Sequence, residues 1–176
     1  MGLTPSPEML DALTQDQARV VELFRSRLGE AVVREHSFRK QLMIWVRAQS
    51  ILDALQLAKS EPSLDCVLLA DLTCVDLLGF QDPGEPRFEI VYNLYSLKHN
   101  RRFLLKAKLD EGESIASATS LWPGANYMER EAFDLFGIVF QGHPNLERIL
   151  TPDGWIGHPL RKDQPTRTDQ FPNVES

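Results

Sequence analysis

Cysteine is scarce in this chain: 176 residues contain only Cys66 and Cys74, and they do not form a CxxC pair. Two thiols fall short of the cysteine set that an iron–sulfur cluster requires. With no secretory pattern at the start, a reduced cytosolic setting is expected. Long apolar runs are missing too. Nothing approaches the ~18 consecutive apolar residues of a spanning helix, so the chain is expected to be soluble or at most peripheral, with no direct membrane span. Positive charge is also short, since 19 Lys and Arg stand against 25 Asp and Glu for a net charge of −6. The basic residues are scattered, with only short runs such as Arg101-Arg102 and Arg161-Lys162. Phosphate neutralisation needs a clustered basic surface, so nucleic acid is not an expected partner. No GxSxG, HExxH, GxGxxG or P-loop pattern occurs, so no catalytic constellation can be named from motifs.

What remains is an ordinary globular composition, 43% hydrophobic and 25% charged, at a length that fits one core. The opening Met-Gly-Leu-Thr-Pro-Ser matches a myristoylation pattern at Gly2 and Ser6, but Pro5 stiffens it, and Ser6-Pro7-Glu8 reads better as a helix N-cap. Leu13, Val20, Val21, Phe24 and Leu28 recur at helical spacing, with a capping box from Thr14 and Gln17 and a stop at Gly29. The apolar runs 31–33 and 42–46 flank polar residues and read as a hairpin. Ser50 is expected to cap a second helix carrying Ile51, Leu55 and Ala58 and ending before Pro62. The apolar run 64–78 reads as a buried, central strand. Cys66 and Cys74 would share a face of that strand as inert thiols. Residues 79–86 must turn. Phe88, Ile90, Tyr92 and Leu94, then Phe103, Leu105, Ala107 and Leu109, alternate cleanly and predict an antiparallel hairpin through Lys98-His99-Asn100. Residues 110–120 read as a loop, and 126–136 as a third helix closed by Gly137. The fold class expected is α+β: a two-layer domain with helices on one face of a mixed, largely antiparallel sheet. Residues 1–140 would form that domain and 141–176 a loop-rich segment and C-terminal arm for partner docking.

The stretch 129–165 is dense in charged and rigid residues yet offers no plausible catalytic set, which points to a docking surface. Arg130 and Asp134 are four apart on the third helix and are expected to pair, leaving Glu129 and Glu131 to meet a partner's Arg or Lys. Two Gly-His-Pro triplets, at His143 and His158, could be drawn as a zinc site with Glu147, Asp153 and Asp163. Pro after each His forces extended or turning backbone, however, so the imidazoles are better read as stapling loop backbone groups. Arg161 can grip a carboxylate or a backbone carbonyl. Residues 166–176 are too poor in apolar side chains to fold alone, with Phe171 and Pro172 as a possible partner anchor. Trp45, Trp122 and Trp155 read as core and interface aromatics rather than ligand platforms.

The motifs Glu129-Arg130-Glu131, Asp134-Leu135-Phe136-Gly137-Ile138, Gly142-His143-Pro144, Arg148-Ile149-Leu150 and Gly157-His158-Pro159-Leu160-Arg161-Lys162-Asp163 closely resemble the C subunit (30 kDa type) of the proton-pumping NADH:quinone oxidoreductase, respiratory complex I. Upstream, Asp71-Leu72-Thr73, Arg87-Phe88-Glu89, Ser96-Leu97-Lys98-His99-Asn100 and Leu121-Trp122-Pro123-Gly124-Ala125-Asn126 are similar to the same family, so the likeness spans roughly 64–165. One departure falls at Glu147, where the family usually has a basic residue, and the chain stops sooner after Asp163 than many relatives do. The resemblance implies a non-catalytic peripheral-arm subunit on the cytoplasmic side of a bacterial membrane, with subunits D, B and I as partners; it would dock on the first of these, which carries the quinone site, and lie near the other two. It implies that Glu129, Arg130, Glu131, Asp134, His143, Arg148, His158, Arg161, Lys162 and Asp163 serve that docking. It also implies that NADH, FMN, iron–sulfur clusters and quinone belong to the assembled complex, none being bound by this chain. The competing reading is a stand-alone small metal-binding or hydrolytic domain using His143 and His158.

Overall fold

The computed structural model describes residues 11–164; the expected N-cap at Ser6, the acylation pattern at Gly2 and the stretch 166–176 lie outside the described residues. A first helix, α1 (Gln15–Leu28), begins with the expected capping box: Thr14 Oγ1 accepts from Gln17 N, and the Gln17 side chain accepts from Thr14 N. It ends at Gly29, whose φ is 53°. The hairpin β1 (Val32–Phe38) and β2 (Gln41–Val46) follows, and its strands run through the polar residues that the apolar runs had left between them. The second helix, α2 (Ile51–Ser60), is entered from a 3-10 turn over Ala48–Ser50, and the Ser50 hydroxyl makes no capping bond. The long hairpin β4 (Phe88–Ser96) and β5 (Arg101–Leu109) pairs in unbroken antiparallel register from Phe88↔Leu109 to Ser96↔Arg101.

The five-stranded sheet has the order β1-β2-β5-β4-β3, with β2 and β5 parallel and the other pairs antiparallel. This places β3 (Leu68–Asp76) at an edge, not at the centre as the apolar run suggested. The reason is that Leu64 and Cys66 are buried before the strand begins, so the run mixes a core-packed loop with a strand, and Val67 and Leu68 are exposed. The loop expected over 110–120 contains β6 (Ser114–Ala116), which pairs in parallel with β7 (Val139–Gln141).

One face of the sheet carries Leu42, Ile44, Phe103, Leu105, Ile90, Tyr92, Leu94, Leu72 and Cys74, all buried. These side chains form one core with Val20, Val21 and Phe24 of α1, Ile51, Ala54, Leu55 and Ala58 of α2, and Ala125, Ala132 and Phe136 of α3 (Ala125–Phe136). The Phe24 and Phe103 rings meet edge to face at 5.8 Å. Burial of this set is the main term that holds the layers together, at about 1.5–3 kcal/mol for each large apolar side chain. Both cysteines sit in it, and burial pushes the Cys66 thiol up to about 12 and raises Cys74 as well. They are therefore inert thiols, as expected, although Cys66 precedes the strand. Trp45 and Trp122 are buried, with Nε1 of Trp122 donating to the Val67 carbonyl.

Candidate functional site

Helix α3 ends where Gly137 takes φ 77°, a left-handed conformation that turns the chain sharply into β7. After β7 the described chain, to residue 164, contains no further helix or strand. Its backbone groups must therefore find partners outside regular structure. Six of its backbone bonds go to partners on α3.

Asp134 is the principal one. It has no solvent exposure, and its Oδ2 accepts from three successive backbone N–H groups, Ile149 at 3.0 Å, Leu150 at 2.8 Å and Thr151 at 2.9 Å. Its Oδ1 accepts from the Thr151 hydroxyl and from the Arg148 guanidinium at 3.0 Å. Burial alone would raise this carboxyl, yet the Thr151 hydroxyl and the N–H groups of Thr151, Leu150 and Ile149 hold it well below the usual carboxylate range. The expected Arg130–Asp134 pair does not form, because Asp134 turns inward. Arg130 instead donates to the carbonyls of Glu147 at 3.0 Å and Arg148 at 3.4 Å. The departure at Glu147 thus leaves a backbone contact in place, while its carboxylate accepts from the Asn145 amide at 3.2 Å.

Glu129, expected to face a partner, is likewise fully buried. Its carboxylate accepts from Ala118 N and from the Ser117 hydroxyl, each at 2.6 Å, with no cation beside it among the described residues. Burial pushes its carboxyl up, opposed in part by those two donors. Glu131 is exposed, as expected for a residue that could meet a partner.

The two histidines act as staples. His143 Nε2 donates to the Asn126 carbonyl at 3.1 Å, and its Nδ1 accepts from Asn145 N at 3.0 Å, which fixes one neutral tautomer. His158 Nδ1 donates to the Asp134 carbonyl at 2.9 Å. Their two carbonyl partners are eight residues apart on α3, or about 12 Å along the axis. That separation is too great for a shared metal ion. Among the described residues no group of three or more His, Cys, Asp or Glu side chains is placed to hold one.

A second clamp closes the C-terminal end. Arg87, only 8% exposed, gives two bonds to Asp76 (3.0 and 2.8 Å), two to Asp163 (3.0 and 2.9 Å) and one to Glu111 (3.0 Å). Asp76 also accepts from Lys162 N at 2.8 Å. Burial would raise the Asp76 carboxyl, but the Arg87 guanidinium and the N–H groups of Lys162 and Leu78 outweigh it and hold it at about 2. Arg161 Nε donates to the Phe136 carbonyl at 2.6 Å, and its Nη1 pairs with Glu111 at 2.9 Å. A Cβ added at Gly137 would lie 2.6 Å from His158 Nε2 and 2.7 Å from Arg161 Nη2, so only glycine fits beneath this crossing. The structure thus brings Arg130, Asp134, His143, Arg148, His158, Arg161, Lys162 and Asp163 into one strap that binds residues 142–164 to α3 and to the end of the sheet. Sequence reasoning missed Arg87, Asp76, Glu111 and Thr151. The signal available was a buried-strand pattern bounded by charged residues, Asp76 and Arg87, on either side of one turn.

Fold and strap together define a two-layer α+β domain that presents an ordered, loop-built surface. The family described as respiratory-chain NADH dehydrogenase, 30 Kd subunit, matches residues 44–170, and the chain belongs to that family. This is the family whose motifs were read between 64 and 165. The C subunit of NADH-quinone oxidoreductase from Roseiflexus sp. (strain RS-1) is 47% identical over 156 residues, 88% of this chain and 87% of the relative. A fused C/D subunit of NADH-quinone oxidoreductase from Ectopseudomonas mendocina (strain ymp) is 41% identical over 161 residues, 89% of this chain and 27% of the fusion. Among solved structures, a trypsin-resistant fragment (1-134) of Nqo5 superposes with a TM-score of 0.63 at 30% identity, covering 75% of this chain and 100% of the fragment. Among the described residues, no helix is long and apolar enough to cross a membrane.

Proposed function

We propose that this chain is a non-catalytic structural subunit of the peripheral arm of a bacterial NADH:quinone oxidoreductase, and that α3 with the segment from residue 141 onward docks on the D subunit, the one that carries the quinone site. One observation carries the reading. In a segment without regular structure, Leu150, Ile156 and Leu160 are 59%, 72% and 51% exposed while the polar groups around them are bonded inward. Apolar side chains displayed on a surface already fixed in one conformation suit a permanent protein partner, since little ordering remains to oppose binding. The fused C/D relative supports the D subunit as that partner, because fusion keeps the two parts together in one polypeptide.

In this reading residues 1–140 are the body and 141–176 the docking part. Glu129, Asp134, Arg148, His143 and His158 position the surface from beneath, while Glu131, Lys162 and Asp163 lie at its exposed edge. Subunits B and I are further neighbours, and the chain lies on the cytoplasmic side of the membrane. Electron transfer from NADH through FMN and iron–sulfur clusters to quinone, coupled to proton translocation, is then the work of other subunits, and this chain holds none of those groups. The test is the double substitution Leu150→Glu and Ile156→Glu in the cell's own complex. Loss of the D subunit from material purified through this chain, with quinone reductase activity falling in parallel, is expected. Full recovery of the D subunit would overturn the proposal.

A further inference from the structure

The core side chains of α1, α2 and α3 pack on one face of the sheet, and among the described residues the opposite face is bordered only by the turn over 77–86, where Leu77, Phe80, Gln81 and Asp82 line a pocket with Trp45 and Met43. The strand register gives the rows of that face: Arg34, Trp45, Lys106, Val91 and Thr73; then His36, Met43, Leu104, Asn93 and Asp71; then the pair Phe38 and Gln41, and the run Arg102, Tyr95 and Leu68. Lys108 and Glu89 continue the first side. Met43, Leu104, Val91 and Tyr95 are half-buried there. An open face of an antiparallel sheet that is merely solvated alternates apolar inside with polar outside. Here Met43 and Leu104 stand side by side in the middle row, with Trp45 and Val91 in the row beside them.

Its charge runs against that of the chain. Arg34, Arg102, Lys106 and Lys108 stand on it against Glu89 and Asp71, although the whole chain is at −6. Glu89 is already committed, since it accepts from Trp45 Nε1 at 2.6 Å and pairs with Lys106 at 2.8 Å. Lys108 pairs with Glu85 from the neighbouring turn. The two arginines have no such carboxylate in direct contact among the described residues. Arg34 lies over the Trp45 ring at 4.4 Å, and Arg102 over the Tyr95 ring at 5.5 Å. They flank Met43 and Leu104 diagonally, two strands and two rows apart, which is roughly 17 Å at ordinary strand spacing.

We propose that this open face is a second protein interface, and that its occupant is an acidic amphipathic helix of a partner subunit. Its apolar stripe lies over Met43 and Leu104, and its carboxylates meet Arg34 and Arg102. Carboxylates about eleven residues apart on a helix span that diagonal. A diagonal crossing of strands is the path of a helix layered on a sheet, not of a strand added to its edge. The proposal rests on the chain's place in a multi-subunit assembly, and it concerns the side away from α3 and residues 142–164.

The test places the photo-crosslinking residue p-benzoylphenylalanine at Leu104 in the intact complex, with a second preparation carrying it at Ile156. Irradiation at Leu104 is expected to capture another subunit through a peptide with apolar residues between Asp or Glu residues, and the combination Arg34→Glu with Arg102→Glu is expected to lower that yield several-fold. Arg34→Lys with Arg102→Lys should retain it. No capture at Leu104, a captured peptide without acidic residues, or a yield indifferent to charge reversal would each overturn the proposal. If the reversed variant does not assemble, Arg34→Gln with Arg102→Gln is read in its place. Capture at Ile156 reports the docking reading separately, so loss at one position with retention at the other identifies which of the two has failed.

Discussion

Replacing Asp134 by Asn should release the segment 142–164 while leaving the sheet folded. The carboxylate accepts five bonds from Ile149, Leu150, Thr151 and Arg148, at full burial. An amide of the same size keeps one acceptor oxygen, turns an N–H2 toward either the three backbone donors or Arg148, and removes the charge. Breaking a buried pair by removing one partner costs about 3–5 kcal/mol. That is a rise in local opening of between about a hundredfold and a few thousandfold. The assay is hydrogen exchange at the amides of Ile149, Leu150 and Thr151, with the β4 and β5 amides as internal reference. The effect also has a pH signature. Because the folded carboxyl is depressed, its stabilisation is complete above the unfolded value of about 4 and disappears as the pH falls from there through the folded value. The wild-type segment should therefore loosen in acid, and the Asn variant should lack that component. Exchange at the three amides within threefold of wild type would refute the reasoning.

Substitutions at three other positions test the remaining contacts. Arg87→Lys should destabilise the chain by about 3–5 kcal/mol in denaturant unfolding, because one ammonium cannot serve Asp76, Asp163 and Glu111 together and a buried carboxylate is left short of donors. Glu129 should behave oppositely to Asp134: burial raises its folded carboxyl above the unfolded value, so its contribution is greatest in acid and is lost as the pH rises from about 4 through the folded value. Thermal unfolding at pH 7 should then find Glu129→Gln unchanged or stabilised, and Glu129→Ala weaker by about 1–3 kcal/mol through the stranded donors of Ser117 and Ala118. Gly137→Ala should cost about 1–2 kcal/mol for the left-handed backbone alone, and more for its collision with His158 and Arg161; protease sensitivity of residues 142–164 would register it.

The elements with purely local causes were legible in the sequence. Alternation along 88–109 gave β4 and β5, the Thr14 and Gln17 pair gave the start of α1, and Gly137 gave the end of α3. Pairings made across long separations left no such mark. β6 is three residues whose partner β7 lies beyond α3, and the parallel pairing of β2 with β5 joins two hairpins that each look complete alone. The carboxylates of α3 failed for a related reason. On the helix Glu129 and Asp134 read as surface charges, one for a partner and one for Arg130, and nothing within a turn of them reveals that Ser117 and Thr151 arrive to bury them. The stapling role of the Gly-His-Pro triplets and the carbonyl grip of Arg161 were legible because Pro and Gly constrain the backbone where they stand, but the carbonyls that His143, His158 and Arg161 reach lie on α3 and not in a loop as the sequence suggested.

The strap explains how a segment without helix or strand can serve as a fixed surface. Ordering a residue's backbone costs about 1–2 kcal/mol, and a loop lacks both the ladder bonds and the apolar face that normally offset it. Here the offset comes from side chains reaching main-chain groups: Asp134 to three N–H groups, Arg130, Arg161 and the two histidines to carbonyls. These bonds draw the polar groups inward and leave Leu150, Ile156 and Leu160 facing out. In the proposed docking a partner meets apolar side chains carried on backbone that folding has already ordered, so little further backbone ordering opposes binding. The same arrangement makes the two ends of α3 interdependent with the segment, because His143 holds the first turn, while Asp134, His158 and Arg161 tie the last turn to it. On the proposed function, a substitution under the segment should therefore weaken docking as strongly as one on its exposed surface.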